Sequence, residues 1–329
     1  MSKSAANLSD FWSQQRVVVT GGAGFLGSHV VEALQARRCS SITIPRQKDY
    51  DLRQPESISK LLSQSRPTMI IHLAAQCGGI GANQENGARF FYDNALMGIQ
   101  LMEYSRQAGI EKYVQVGTVC AYPGNTPVPF KEKNLWSGYP EPTNAPYGLA
   151  KKMLLVQAQA YRDHYDFNAI YLLPANLYGP RDHFDLEKSH VIPALIRKIH
   201  EAKSEGKPSI EVWGSGKASR EFLYAGDAAE GILLAAEKYN GRDPVNLGTG
   251  SSVTIKELID LLCQLMNYRG TIRWNRSRPD GQIKRQLDTS RARKWFSFRA
   301  KTPLREGLLK TIAWYTDRTS KILSLETVQ

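Results

Sequence analysis

Apolar residues in the first half of the chain fall into short unbroken runs, separated by longer stretches in which they recur three and four positions apart. Val17-Val18-Val19, residues 41–44, Met69-Ile70-Ile71-His72-Leu73, residues 113–116 and residues 170–173 read as strands. Runs this short and this continuous suit strands covered on both faces. A helix pattern follows the first strand to about Ala36, and others lie around residues 56–65, 88–107 and 147–163. Strands alternating with helices predict an α/β fold with a doubly wound parallel sheet and right-handed crossovers.

After Pro174 the rhythm changes. Loops at 176–189 and 214–220 surround a helix over Val191–Ser204, and shorter helices follow near 227–238, 254–266 and 304–315. The expected organisation is a first domain over residues 1–175, with returning segments near 222–250, and a smaller interleaved lobe over 176–329. The chain shows no internal repeat or low-complexity segment.

Composition narrows the function classes. With 329 residues, 42% hydrophobic and 22% charged, the chain has ample material for a buried core. No apolar run approaches the roughly 20 residues that a membrane span needs. Residues 1–15 carry neither the apolar core of a secretory signal nor an Arg-rich transit pattern, and read as a loose lead-in to the first strand. Cys39, Cys77, Cys120 and Cys263 are far apart in sequence, which argues against structural zinc or a disulfide framework and for a reducing cytoplasm. The formal charge of +12 suits either nucleic acid or anionic small molecules. Lys and Arg are spread evenly, with a mild excess between Lys284 and Arg305, and no nucleic-acid-binding motif accompanies them. Small anions are therefore the expected partners, with no nucleic acid, membrane or metal.

The chemistry begins at Thr20-Gly21-Gly22-Ala23-Gly24-Phe25-Leu26-Gly27, between the first strand and the first helix. Glycines there let the backbone turn tightly and approach a pyrophosphate, while the helix N-terminus supplies free N–H groups. Strand, turn and helix come in the order that dinucleotide binding requires. An NAD site usually offers an acid near the end of the second strand for the ribose 2′-hydroxyl. This sequence offers Ile44-Pro45-Arg46-Gln47-Lys48, and a cation such as Arg46 pairs with a 2′-phosphate, so NADP(H) is the expected cofactor. Further on, Tyr147 and Lys151 stand four apart, on one face of a helix. A nearby ammonium favours the phenolate and makes tyrosine a usable proton carrier. Thr118, in the strand-end segment Gly117-Thr118-Val119-Cys120-Ala121-Tyr122-Pro123, offers a hydroxyl to a substrate carbonyl.

With these motifs the chain resembles the extended short-chain dehydrogenase/reductases, which implies a Rossmann cofactor domain. The resemblance runs through Asp51-Leu52, His72-Leu73-Ala74-Ala75 and Pro174-Ala175-Asn176-Leu177-Tyr178-Gly179-Pro180. Within that group it is similar to the GDP-L-fucose synthase family, the 3,5-epimerase-4-reductases acting on GDP-4-keto-6-deoxy-D-mannose. The narrower match rests on Gly78-Gly79-Ile80, Glu141-Pro142-Thr143-Asn144, the Ser189-His190-Val191-Ile192-Pro193 run, Trp213-Gly214-Ser215-Gly216, Arg220-Glu221-Phe222-Leu223 and Pro279-Asp280-Gly281. The resemblance implies Thr118, Tyr147 and Lys151 for reduction and Cys120 and His190 for epimerisation. It places Gly21, Gly24, Phe25, Leu26, Gly27, Arg46, Asp51, Leu52, Ala74, Ala75, Pro174, Asn176 and Leu177 on the cofactor, together with Tyr147 and Lys151. It sets Asn176, His190, Lys198, Trp213, Arg220 and Lys284 (or its neighbour Arg285) on the sugar nucleotide.

The family usually has Ser at 118 and 119, where this chain has Thr118 and Val119. Its glycine turn is closer to that of nucleotide-sugar 4-epimerases and dehydratases. A 4-epimerase or 4-reductase on a related GDP- or UDP-sugar, or a non-catalytic NADP(H)-binding protein, are the competing readings. The resemblance further implies a homodimer through the helices near 88–107 and 147–163, with Phe91, Ala95, Leu96, Leu154 and Ala158 as contact candidates.

Overall fold

A computed structural model describes residues 8–186, 189–277 and 280–326. The glycine turn connects β1 (Arg16–Thr20) to α2 (Phe25–Ala36), with α1 (Leu8–Ser13) ahead of them. β2 (Ser41–Thr43), α3 (Pro55–Ser65), β3 (Met69–His72), α4 (Ile80–Gln107), β4 (Lys112–Val116), α5 (Ala145–Tyr165) and β5 (Ala169–Pro174) complete the alternating half. Beyond it come β6 (Asn176–Tyr178), α6 (Val191–Ser204), β7 (Ser209–Trp213), β8 (Ser219–Arg220), β9 (Phe222–Tyr224), α7 (Ala225–Lys238) and β10 (Val245–Leu247). The chain ends with β11 (Val253–Thr254), α8 (Ile255–Met266), β12 (Thr271–Asn275), β13 (Lys284–Arg285), α9 (Ser290–Phe296) and α10 (Leu304–Glu326).

Six parallel strands form the large sheet in the order β10-β5-β4-β3-β1-β2. The strand alternation sorts its two faces. Val17 and Val19 join the core with Val30, Leu34, Ile232 and Leu233 of α2 and α7. Val18 and Ile70 join Ile58, Leu61, Leu101 and Ala158 of α3, α4 and α5. Both faces are thus covered, which is why the strands read as continuous apolar runs. A second core lies among α6, α8 and the parallel pair β7–β12, with Ile196, Ile199, Leu258 and Leu262 wholly buried. No helix among the described residues is long and apolar enough to cross a membrane.

Several expectations change. The lead-in is not loose throughout, because α1 seats Trp12 at 0% exposure and Ser40 N–H donates to the Trp12 carbonyl (3.1 Å). α4 starts at Ile80, ahead of the expected 88, and bends at Asn86 (φ −117°, ψ 20°). Of the returning segment near 222–250, β10 joins the large sheet beside β5, while β9 leaves it to pair with β6. Among the expected dimer positions, Ala95, Leu154 and Ala158 are buried within the fold. Phe91 is exposed as expected, and Tyr92 and Ile99 on α4 and Met153 and Val156 on α5 are exposed with it.

Candidate active site

The strand order reverses between β1 and β3, so the loops after those two strands diverge and leave a crevice at the carboxyl end of the sheet. A cavity of about 830 Å³ occupies it and continues to α6 and β7. At one end stands the glycine turn. Gly21 sits at φ +70°, and a Cβ on Gly27 would lie 2.0 Å from the Gly21 carbonyl oxygen. Only glycine lets the turn fold this closely onto the N-terminus of α2, whose free N–H groups are suited to an anion. Gly21, Gly24, Phe25, Leu26 and Gly27 all line the cavity, as do Arg46, Asp51, Leu52, Ala74, Ala75, Pro174, Asn176 and Leu177.

Arg46 has no side-chain partner among the described residues. Arg53, which sequence reasoning passed over, is committed elsewhere: it grips Asp51 (Nη2–Oδ2 2.7 Å) and reaches Asp93 (Nη1–Oδ1 3.2 Å). That guanidinium holds the Asp51 carboxyl below its ordinary range. Of these two arginines lining the cavity, Arg46 is the one open to an incoming anion.

The candidate reacting groups Thr118, Cys120, Tyr147 and Lys151 line the same cavity. Thr118 caps a single 3-10 turn over Val119–Ala121, its Oγ1 accepting from Cys120 N–H (3.2 Å). α5 runs hard against this turn, since a Cβ on Gly148 would lie 2.3 Å from the Cys120 carbonyl oxygen. The close approach sets Tyr147 beside Thr118, to which its phenol is hydrogen-bonded. Lys151 is 2% exposed, and burial pushes its ammonium down to about 8. Burial, with Cys77 and Cys120 nearby, pushes the Tyr147 phenol well above its ordinary value, and the Thr118 contact opposes this only in part. The phenolate expected beside an ammonium thus gives way to a protonated phenol, a proton donor at neutral pH.

His190 arrives from the far side of the cleft as the residue preceding α6. It opens to the cavity, yet the surrounding protein and His183 lower its imidazole below the ordinary value. At neutral pH it is an uncharged proton acceptor. Lys198, Trp213 and Arg220 line the same end. Lys198 Nζ donates to the Glu211 carbonyl (3.0 Å), and Asn176 Nδ2 to the Glu221 carbonyl (2.9 Å).

Lys284 is a correction. It is exposed and does not line the cavity, whereas Arg285 does. β13 pairs with β8 so that Arg285 lies beside Arg220, and strand alternation turns Lys284 the other way. Arg220 donates to the Ser219 and Asp280 carbonyls (2.8 and 2.9 Å), and burial next to Arg285 lowers its guanidinium to about 10. Two adjacent guanidiniums, Arg285 buried and Arg220 half-buried, suit an anion with several oxygens. Arg285 Nη1 also lies 3.7 Å from Cys120 Sγ. Asp280 and Gly281 line this end, while Pro279 lies outside the described residues.

Cys77 was missed as a site residue. It follows β3 as Cys120 follows β4, and because those strands pair, both thiols line one cavity. Protein around it pushes the Cys77 thiol up, and its charge is felt by Lys151. The Ala74-Ala75 loop carried the signal, since the two residues after it enter the same crevice.

Comparison with known proteins agrees with this geometry. Residues 17–248 match the NAD dependent epimerase/dehydratase family. GDP-L-fucose synthase of Sinorhizobium fredii is 38% identical over 297 residues, 90% of this chain and 94% of that one. A GDP-6-OMe-4-keto-L-xylo-heptose reductase from C. jejuni superposes with a TM-score of 0.88 at 26% identity, covering 93% of this chain and 99% of that one. A GDP-L-fucose synthetase from Naegleria fowleri bound to NADP gives 0.83 at 27%, covering 92% and 94%. This chain belongs to the NAD-dependent epimerase/dehydratase family and, within it, to the GDP-L-fucose synthases.

Proposed function

We propose that the chain converts GDP-4-keto-6-deoxy-D-mannose to GDP-L-fucose, epimerising C3 and C5 and reducing C4 with NADPH. One observation carries the reading: a single cavity is lined by Cys120 and His190 together with Thr118, Tyr147 and Lys151. Reduction or 4-epimerisation uses the last three alone. Inverting a carbon beside a ketone needs a base to remove its proton and an acid to return one on the other face. Cys120, on the turn after β4, and His190, ahead of α6, supply two such groups from different elements. Thr118 donates to the C4 oxygen in both stages, and Tyr147 delivers its proton to that oxygen as it becomes an alkoxide. The Lys151 ammonium replenishes the tyrosine and attracts negative charge. Arg220 and Arg285 take the diphosphate.

The cofactor assignment is supported by the tight Gly21–Gly27 cradle and by Arg46. Bound there, NADPH supplies the hydride. Incubation with GDP-4-keto-6-deoxy-D-mannose tests the whole: NADPH is consumed and the product is the 3,5-inverted 6-deoxyhexose. An uninverted 6-deoxyhexose, or no consumption, would refute it.

Two further expectations arise here. Arg46→Ala should weaken NADPH binding by about 1.5–3 kcal/mol, the worth of a charge-assisted contact, or roughly 10- to 150-fold in Kd, and leave NADH nearly unchanged. Equal losses in a cofactor titration would remove Arg46 from the 2′-phosphate. The second concerns assembly. Phe91, Tyr92, Ile99, Met153 and Val156 lie exposed on the adjacent helices α4 and α5, and we read this apolar face as a twofold contact with a second copy. Light scattering should return twice the 36.9 kDa chain mass, and Val156→Asp should halve it. A wild-type monomer at micromolar concentration would end the idea. The four free cysteines suit a reducing, cytoplasmic setting.

A further inference from the structure

One acidic group in the cleft has half of its carboxylate unused by the protein. Asp182 follows β6 on the way to α6, is 6% exposed, and lines the cavity. Its Oδ1 accepts from His183 N–H (2.7 Å), while its Oδ2 is buried and has no hydrogen-bond partner among the described residues. An unmet buried acceptor costs about 1–3 kcal/mol, more when it is charged, so such a position calls for an explanation.

The local backbone is firmly held. Arg181 is engaged with Glu32 on α2 (Nη2–Oε2 2.7 Å) and faces His29 Nδ1 (3.3 Å), while the Pro180 carbonyl meets His29 Nε2 (3.0 Å). The adjacent guanidinium is therefore turned away from Asp182 and fixed there. On its own segment Asp182 meets the His183 backbone N–H, and from the loop after β3 comes Cys77, which feels the Asp182 charge. Cys77 in turn acts on Tyr147 and Lys151. This chain of neighbours sets Asp182 on the side of the cavity that holds Tyr147 and Lys151.

We propose that Asp182 is a ligand-binding residue whose free Oδ2 takes a hydrogen bond from a neutral donor brought into the cleft, a sugar hydroxyl or the nicotinamide amide. The inference rests on the cofactor and substrate classes proposed above. It explains why the protein leaves this acceptor bare, because the ligand completes it. It also links binding to protons. Burial holds the Asp182 carboxyl at about 7, so near pH 7 about half of the molecules carry its proton. A hydrogen-bond donor favours the carboxylate, and binding then expels that proton. Affinity rises with pH through this window, and the number of protons released grows as pH falls from about 8 towards about 6.

The test is calorimetry on the full chain near pH 7, in two buffers of different ionisation enthalpy. NADPH is titrated first, then GDP-L-fucose onto the NADPH complex, for wild type and Asp182→Asn. Asparagine keeps the Oδ1 that accepts from His183. Wild type should release about half a proton more than the variant in one of the two steps. An excess in the NADPH step identifies the amide as the donor, and an excess in the GDP-L-fucose step identifies a hydroxyl. Equal proton counts for wild type and variant in both steps overturn the inference, as does net uptake by wild type, which would mean that the ligand offers an acceptor. If neither ligand binds wild type, the proposed function fails as well, so the two failures are distinguishable. Should Asp182→Asn not fold, the wild-type titrations repeated between about pH 6 and about pH 8 decide, a release that does not grow towards low pH counting against Asp182.

Discussion

Tyr147→Phe is expected to slow NADPH oxidation by about 10²- to 10⁴-fold, the usual worth of a positioned proton donor, while the sugar continues to exchange deuterium from heavy water. Cys120→Ser and His190→Gln should do the reverse, exchanging little or no deuterium or stopping after C3. The division follows from where the protons sit. Tyr147 is a buried, protonated phenol bonded to Thr118, suited to giving a proton to a C4 alkoxide and poorly suited to removing one from carbon. His190 is uncharged at neutral pH, and Cys120 lies under the Arg285 guanidinium at 3.7 Å, so both can handle carbon-bound protons. Lys151 adds a pH dependence. Its ammonium is lost as pH rises through about 8, so reduction should fall across that range while exchange persists. Loss of both reactions in Tyr147→Phe, with both intact in Cys120→Ser, would make the enzyme a 4-reductase or 4-epimerase whose cysteine merely packs.

Elements buried on two faces were the easiest to find in the sequence. β1, β3, β4 and β5 stand out because a central parallel strand must be apolar at every position. The expected α6, Val191–Ser204, matches the observed helix because its apolar stripe is regular and it ends in polar residues. The elements missed are short or polar. β8 and β13 are two residues each and carry Arg220, Lys284 and Arg285, which leaves no run long enough to show a period. That is also why the sequence left Lys284 and Arg285 as alternatives: without a visible strand nothing told them apart, and alternation turns only Arg285 into the cavity. Of the catalytic candidates, Tyr147 and Lys151 are legible as a pair because helical spacing alone puts them together. Two other cavity residues are not: Cys77 reaches Cys120 only because β3 pairs with β4, and Asp182 is placed by Arg181 locking its segment to α2. Long-range convergence of this kind leaves no local trace in a single sequence.

Glu221→Gln should lower stability by about 3 kcal/mol and raise KM for the GDP-sugar more than it raises the Kd of NADPH. Glu221 is 1% exposed and is the hinge of three segments. Its Oε1 accepts from Gly250 N–H (2.8 Å) and Thr249 N–H (2.5 Å), and its Oε2 from Leu287 N–H (2.5 Å). The site is tight, since a Cβ on Gly248 would lie 2.2 Å from Oε1. Glutamine keeps one acceptor oxygen, but its amide must face either Leu287 N–H or the Thr249–Gly250 pair, so at least one buried donor is opposed by another. The consequence for substrate comes through the backbone. Glu221 lies between Arg220 and β9, its carbonyl holds the Asn176 amide (2.9 Å), and Leu287 follows Arg285 by two residues. Loosening this junction shifts Asn176, Arg220 and Arg285 together, while the glycine turn after β1 belongs to a different part of the fold. Chemical denaturation and steady-state kinetics separate the effects. A stability change under about 0.5 kcal/mol, the range of ordinary surface substitutions, would show that these three hydrogen bonds do not hold the segments. A KM unchanged despite a large stability loss would confine Glu221 to folding and remove it from the positioning of Arg220 and Arg285.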